Sequence, residues 1–226
     1  MDKKRILLAW SSGKDCVWAL HVLGQQGDCE VVGLLATLNA DNSRVCMHGI
    51  REKLLTAQAE AVGSPLIKVY LPDPCSDEEY GKIMGQVIER ARRENISAIA
   101  FGDIFLEEVR KYREEKLAGT GIQAIFPLWG TDTRQLAGEI VSAGLGAYIT
   151  CVDLKQLDSS FAGRSYDAKF LEDLPTGVDP CGENGEFHTF VYQAPGFNKP
   201  LNVEPGKIVI RDGFVYADMV EPNRRN

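Results

Sequence analysis

A lysine and an aspartate that follow a short apolar run are the residues of this chain best suited to phosphate chemistry. The segment Trp10-Ser11-Ser12-Gly13-Lys14-Asp15-Cys16 comes directly after the strand-like run Arg5–Ala9 and opens a helix-like pattern. A strand–turn–helix of this kind leaves backbone N–H groups free at the positive end of the helix, where an anion binds. We therefore expect a nucleotide to contact Ser11, Ser12, Gly13, Lys14, Asp15 and Cys16, with Lys14 catalytic. The plain alternative is an ordinary turn with a surface lysine.

The spacing of this turn differs from that of the common phosphate-binding loops. A Walker-type loop has a glycine five positions before Gly13, where this chain has Leu8, and a serine or threonine after the lysine, where it has Asp15. The segment instead resembles the SGGKDS loop of the ATP-pyrophosphatase (PP-loop) enzymes, with Ser12 in place of a glycine and Cys16 in place of the last serine. A positive φ at Ser12 would strain the turn. Beside Lys14 at a helix N-terminus, the Cys16 thiol is expected to have a lowered pKa.

Composition describes an acidic globular protein. The chain has 226 residues, 44% hydrophobic content and a net charge of −7, which argues against nucleic-acid binding. No apolar stretch is long enough to span a bilayer, and there is no secretory signal, so we expect no membrane association. The six cysteines are scattered without a C-x-x-C pair, which predicts reduced thiols and a cytoplasmic location. A homodimer is compatible with the sequence.

Strand-like and helix-like segments alternate from the N-terminus to Val152. This alternation predicts an α/β fold, a parallel sheet with helices on both faces, in which residues 146–152 form the last strand. Residues 173–206 are rich in proline and glycine and are expected to be irregular, whereas Asp212-Gly213 between two apolar runs predicts a hairpin. We expect an ATP-binding domain at 1–152 and a smaller α+β lobe at 153–226.

Ligands of parallel sheets bind at the carboxyl ends of the strands. The predicted strand 97–102 ends in Gly102-Asp103, so both residues lie at the same edge as the Ser11–Cys16 turn. We expect both residues to contact the nucleotide, and Asp15 and Asp103 to be ligands of Mg²⁺. Asp103 could alternatively bind a ribose hydroxyl or cap the helix that follows. His48, in a loop, is a further candidate for nucleotide contact.

Three further stretches carry a resemblance to a known family. They are Gly102-Asp103-Ile104 with Tyr112-Arg113-Glu114, Pro127-Leu128-Trp129, and the segment 181–189, which reads CGENGEFHT. Together with the opening turn, they resemble the diphthine–ammonia ligase family, whose members carry a GE-x-GE-[FY] motif in the C-terminal lobe. His188 departs from the pattern, because the family commonly has an acidic residue there. The chain looks closer to the shorter bacterial members, which implies an acceptor other than diphthine.

The resemblance implies a PP-loop (HUP-like) fold and an AMP-forming ligase that uses ATP and Mg²⁺. ATP would adenylate a carboxylate on a protein side chain or small molecule, and ammonia would then form the amide. The family's motifs imply substrate contacts for Arg113, Glu114, Gly182 and Thr189, although Arg113 could instead pair with glutamates one turn away.

Two glutamates in the last motif are candidates for the amide-forming step. Glu183 and Glu186 lie three residues apart in a glycine-punctuated turn, so they could converge on Mg²⁺ or deprotonate ammonium. The plain alternative is a solvated acidic turn. Two other functions stay open, a tRNA-modifying PP-loop enzyme and a non-catalytic adenine-nucleotide sensor.

Overall fold

The computed structural model describes residues 3–222. Its strands form two sheets, and most of its helices connect consecutive strands of the first sheet along the chain. The strands are β1 (Lys4–Ala9), β2 (Cys29–Asn39), β3 (Arg44–Val45), β4 (Leu66–Leu71), β5 (Ala98–Ala100), β6 (Gln123–Ile125), β7 (Gly146–Asp153), β8 (Phe187–Gln193), β9 (Glu204–Arg211) and β10 (Phe214–Val220). The helices are α1 (Lys14–Gln26), α2 (Glu52–Val62), α3 (Asp77–Arg93), α4 (Glu107–Leu117), α5 (Thr133–Ser142) and α6 (Ala168–Asp173), with a 3₁₀ helix at Ser159–Phe161.

The first sheet is mainly parallel, as the alternating pattern predicts. Its order is β3-β2-β1-β5-β6, with β4 paired to β2. The pairs of β1 with β2 and β5, of β2 with β4, and of β5 with β6 are all parallel. In the described part of this first sheet, the short β3 is the only strand that runs antiparallel. Since parallel strands need crossovers, α1 to α4 lie along the faces of this sheet.

Both faces of the central strand are buried. Ile6 and Leu8 belong to one hydrophobic cluster and Leu7 to the other, so alternate side chains of β1 enter different cores. This arrangement explains why β1 is a continuous apolar run without polar alternation. The carboxyl end of this buried strand leads directly into the turn before α1.

Local sequence signals set several helix boundaries. Ser76 and Glu79 form the capping box that the sequence indicates at the start of α3, and Asp132 caps α5 by accepting the backbone N–H of Gln135 at 2.8 Å. Gly27 ends α1 with φ of 74°, a left-handed conformation that glycine adopts without steric cost.

The second sheet is antiparallel, with the order β8-β7-β10-β9. The expected assignment of residues 146–152 to the parallel sheet is wrong, because β7 pairs with β8 and β10 instead. The expectation of an irregular 173–206 segment is also wrong in part, since β8 lies inside it. The Asp212-Gly213 hairpin is confirmed, and both turn residues have positive φ.

Among residues 3–222, no helix combines the length and apolar character that crossing a membrane requires.

Candidate active site

A cavity of about 560 Å³ opens where the two sheets meet. Its walls come from the carboxyl ends of β1, β2 and β5, from α1, α3 and α4, and from segment 182–189 of the C-terminal part. The sequence-predicted residues that line it are Ser11, Lys14, Asp15, Cys16, His48, Gly102, Asp103, Arg113, Gly182, Glu183 and Thr189. The structure therefore brings the opening turn and the last motif to one space.

The turn at residues 11–16, the β1–α1 turn, is held in a demanding conformation. Ser12 has φ of 70°, so the serine adopts a left-handed backbone that glycine would take at lower cost. Its carbonyl accepts a backbone bond from Val191 at 3.0 Å and a side-chain bond from Gln58 at 3.1 Å. Gly13 is the N-cap of α1, and as a glycine it contributes no side-chain cap of its own.

Gln58 ties this turn to the C-terminal part, and sequence analysis did not single it out. Its amide also donates to the Val191 carbonyl at 2.7 Å and accepts from the Trp10 indole N–H at 2.7 Å, which satisfies a fully buried side chain. The signal that could have found it is a glutamine four residues after Leu54 on the apolar face of α2.

Lys14 is almost wholly buried between the two parts of the protein. Its Nζ lies 3.0 Å from Asp15 Oδ2, donates to the Cys181 carbonyl, and sits 5.6 and 5.5 Å from the ring centroids of Tyr166 and Phe187. Burial lowers the pKa of Lys14, but nearby negative charges, Asp15 first, outweigh it, so the pKa is raised and the ammonium persists. The structure therefore excludes an ordinary surface lysine.

Asp15 keeps one carboxylate oxygen without a partner. Oδ1 is buried and makes no hydrogen bond to the described residues, while Oδ2 contacts Lys14. Burial raises the pKa of Asp15 against the opposing effect of the Lys14 charge. A buried oxygen in this condition is suited to a cation or a proton donor brought by a ligand.

The expected lowering of the Cys16 thiol pKa is wrong. Burial raises that pKa to about 11, and the bonds involving Ser11 and the backbone offset it only in part. The thiol donates to the Gly13 carbonyl at 3.1 Å, so it faces the turn rather than the Lys14 ammonium. Position at a helix N-terminus is not enough to activate a thiol that is withdrawn from water.

The residues after β5 lie partly in the cavity. Gly102 approaches the start of α1 so closely that a Cβ there would be 3.0 Å from the Asp15 carbonyl carbon. Asp103 Oδ2 accepts a hydrogen bond from Arg113 Nε at 3.5 Å. The Arg113 guanidinium lies over the Phe101 ring, with Cζ 4.9 Å from the ring centroid. Leu106, not Asp103, is the N-cap of α4. Glu114 lies outside the cavity, on the exposed face of α4, and pairs with Arg110 at 2.9 Å.

Glu183 lines the same cavity as the β1–α1 turn and is close enough to Asp15 and Lys14 for their charges to affect its pKa. Its Oε1 accepts the backbone N–H of Ile104 at 2.7 Å and that of Phe105 at 3.4 Å, so the loop after β5 orients it. Burial raises the pKa of Glu183 to about 7, helped by the charge of Asp15 and opposed by the Ile104 bond. A carboxyl group with this pKa exchanges protons near neutral pH.

Glu186 does not converge with Glu183 at the cavity. Its side chain is buried outside the lining, and Oε1 accepts from the Asp179 N–H and from Asn184 Nδ2, both at 2.9 Å. Oε2 is buried and has no partner among residues 3–222. These contacts fold the 179–186 turn, in which Asp179 in turn accepts the Glu183 N–H at 2.9 Å.

The remaining motif residues shape the wall beside the turn. Thr189 Oγ1 accepts the Lys14 N–H at 3.0 Å, and Gly182 has φ of 67°, with no room for a Cβ beside Phe187. His48 and His188 both line the cavity, with ring centroids 4.6 Å apart. Burial lowers the pKa of His188 to about 4 and that of His48 well below its usual value, so both are neutral at pH 7.

Comparisons with known proteins agree with this architecture. The family models described as diphthamide synthase N-terminal domain and C-terminal domain match residues 4–123 and 132–219. Proteins named diphthine–ammonia ligase are similar: the Danio rerio protein is 28% identical over 70% of this chain and 68% of its own length. The human protein is 27% identical over 70% of this chain, and the match spans 65% of the human protein. The mouse protein is 26% identical over 94% of this chain and 88% of its own length.

The two family matches meet at the cavity. The N-terminal match contributes the β1–α1 turn, Gly102 and Asp103, and the C-terminal match contributes Glu183 and Thr189. Both domains of one family thus occur in order along the chain and together build the cavity. The chain belongs to the diphthamide synthase family.

Proposed function

We propose that this protein is an ATP-dependent, AMP-forming ligase that converts a carboxylate to an amide with ammonia. The observation that carries the proposal is that Lys14 and Glu183 line the same cavity, which brings together an ammonium group and a carboxyl group of pKa about 7. The name of the similar zebrafish and human proteins, diphthine–ammonia ligase, supports the reaction type. For this chain the acceptor is proposed only as a carboxylate on a protein side chain or a small molecule.

In the first step the β1–α1 turn and Lys14 hold the triphosphate. The acceptor carboxylate oxygen attacks the α-phosphorus, the bond from that phosphorus to the oxygen bridging to the β-phosphorus breaks, and pyrophosphate leaves. Lys14 stabilises the charge that grows on the pyrophosphate, because its ammonium is kept charged at the start of α1. Gly102 lets the loop after β5 approach α1 closely enough to close this side of the cavity.

Mg²⁺ would be held with the nucleotide phosphates. The unpartnered Oδ1 of Asp15 is the oxygen that fits such an ion, and Asp103 is a second carboxylate on the same cavity. Protein sites commonly hold Mg²⁺ through one or two carboxylates plus substrate phosphates, so no larger ligand cluster is required. When bound, the ion would neutralise charge on the phosphates. Arg113 is the proposed partner for the acceptor carboxylate or a phosphate.

In the second step Glu183 takes a proton from ammonium. The resulting ammonia attacks the acyl carbon, the bond from that carbon to the AMP oxygen breaks, and AMP leaves. The nitrogen loses its second proton to water, and Glu183 later releases the first one to solvent. Both backbone bonds from the β5–α4 loop go to Oε1, so we assign proton transfer to Oε2. Glu186 folds the turn that carries Glu183 and does not act on substrate.

The buried thiols favour amidation over sulfur transfer. Burial raises the pKa of Cys16 to about 11 and also raises that of Cys46, and both line the cavity. Thiols that stay protonated are poor carriers of persulfide sulfur. All six cysteines are unpaired, in keeping with the cytoplasmic location we propose.

The test measures pyrophosphate, AMP and amide from ATP with a panel of carboxylates, with and without ammonium. We expect Glu183→Gln to lower amide formation by about two to four decades, the usual effect of losing a general base. ATP affinity should stay within a few-fold, and AMP should still form by hydrolysis of the acyl adenylate. Glu115→Gln, the same change on an exposed face of α4, is the control. Unchanged amide formation in Glu183→Gln would contradict the proposal.

A further inference from the structure

A second opening of about 310 Å³, the basic groove, shares His48 as a wall residue with the cavity. Lys207, Val209 and Arg211 line it from alternate positions of β9, so the two cations stand on one face of the strand. Arg44 lines it from the end of β3. Because the chain has a net charge of −7, a local cluster of three cations marks this groove as a candidate anion-binding site.

The acidic groups at the groove are already matched by cations. Asp218 contacts two arginines, Arg44 at 3.1 Å and Arg51, so this cluster carries net positive charge. Arg211 lies 3.5 Å from Asp212, a highly exposed contact that contributes little in water. Lys207 stands on an exposed strand beside these groups. The groove therefore attracts an anion.

His48 is the partition between the groove and the cavity. It lines both spaces, and a Cβ built on Gly13 would lie 3.0 Å from its Cε1, so the ring rests on the β1–α1 turn. Gly49 lets this loop pack on β10, because a Cβ there would already be 3.1 Å from the Tyr216 ring. The His48 imidazole, neutral at pH 7, therefore belongs to the walls of both spaces and contacts the β1–α1 turn.

We propose that the basic groove binds an anionic group of the acceptor, a second carboxylate or a phosphate in addition to the carboxylate that reacts. That the bound molecule is the acceptor rests on the proposed function. The presence of an anion site in the groove does not depend on it. ATP enters the cavity formed by β1, β2 and β5, and the acceptor approaches from the β9–β10 side. The acceptor is then a small acidic molecule, or a segment with an acidic end, that carries at least two anionic groups.

The experiment titrates citrate and inorganic phosphate into the whole protein at low salt by calorimetry. The nucleotide cavity is first saturated with α,β-methylene-ATP, which cannot be cleaved between the α and β phosphates. We expect one anion site to remain, with Kd rising about tenfold in Lys207→Gln and again in Lys207→Gln/Arg211→Gln, the size of a lost charge-assisted hydrogen bond. Lys207→Arg should bind within a few-fold of wild type. Lys53→Gln, which removes a cation paired with Glu221 outside the groove, is the control.

The outcomes separate the claims. Preference for citrate indicates that the groove selects a carboxylate as the second anionic group, and preference for phosphate indicates a phosphate; both support the groove. Absence of binding, competition with the ATP analogue, or equal binding by the Lys207→Gln/Arg211→Gln variant overturns it. Citrate binding with no pyrophosphate release on any carboxylate would defeat the proposed function and leave the groove standing.

Discussion

Replacing Glu183 with glutamine should change how the stability of the protein depends on pH. Burial raises the pKa of this carboxyl group to about 7 from an ordinary value of 4.5. That difference corresponds to about 3 kcal/mol between the protonated and ionised forms. Part of the side chain faces an open cavity, and solvent screening reduces the amount that stability experiments would detect to roughly 1–2 kcal/mol.

The sign follows from a folded-state pKa that lies above the unfolded one. Below pH 4.5 Glu183 is protonated in both the folded and the unfolded state, and its full contribution to the free energy of unfolding is present. Between pH 4.5 and about 7 the unfolded chain ionises while the folded protein stays protonated, so the free energy of unfolding falls. Glutamine cannot ionise, and the stability of Glu183→Gln relative to wild type should rise by roughly 1–2 kcal/mol across that interval.

The assay is urea unfolding of wild type, Glu183→Gln and Glu115→Gln at pH 4.5 and pH 8. The comparison uses the change of each difference with pH, so a constant effect of the amide on the Ile104 and Phe105 bonds cancels. Glu115→Gln should show little change, because this side chain is exposed. A Glu183→Gln difference that is equal at both pH values would refute a pKa near 7 and remove Glu183 as the base.

Four other substitutions or reactions test the site. Lys14→Met should lower pyrophosphate release by at least about a hundredfold and also cost about 3 kcal/mol of stability, because Asp15 loses its buried partner; normal release would remove Lys14 from catalysis. Glu186→Gln should cost about 1–2 kcal/mol by urea unfolding yet leave the rate per folded molecule near wild type, and a rate loss of decades would contradict its structural assignment. Ser12→Gly should stabilise the protein by about 1 kcal/mol by relieving a positive φ, and a lower urea midpoint would contradict that strain. In iodoacetamide labelling followed by mass spectrometry, Cys16 should react more slowly than the partly exposed Cys75, and the reverse order would mean an activated thiol.

The local features of the fold could be predicted from the sequence. The capping box at Ser76, the cap at Asp132 and the Asp212-Gly213 hairpin depend on hydrogen bonds and dihedral angles within a few residues, so neighbouring residue types determine them. The apolar run of β1 also predicts a buried strand, because a strand that is covered on both faces has no polar alternation. The position of the β1–α1 turn at a strand end follows from the alternation of strands and helices.

The partners of each element were decided by the tertiary structure. Residues 146–152 have a strand pattern that suits either sheet, and the pairing with β8 and β10, which come later in the chain, places them in the antiparallel one. The same holds for Glu183 and Glu186, whose spacing is compatible with convergence. The backbone N–H groups of Ile104 and Asp179 draw them in different directions.

The protonation behaviour of the site was also decided by the tertiary structure. The sequence places Cys16 beside Lys14 at a helix N-terminus, which by itself predicts a reactive thiol. Burial reverses that prediction for Cys16, and it raises the pKa of Glu183 toward neutrality. Desolvation depends on what the rest of the chain packs against a group. A residue's type and its neighbours along the chain therefore identify the candidates for chemistry, and burial determines which of them can exchange a proton near pH 7.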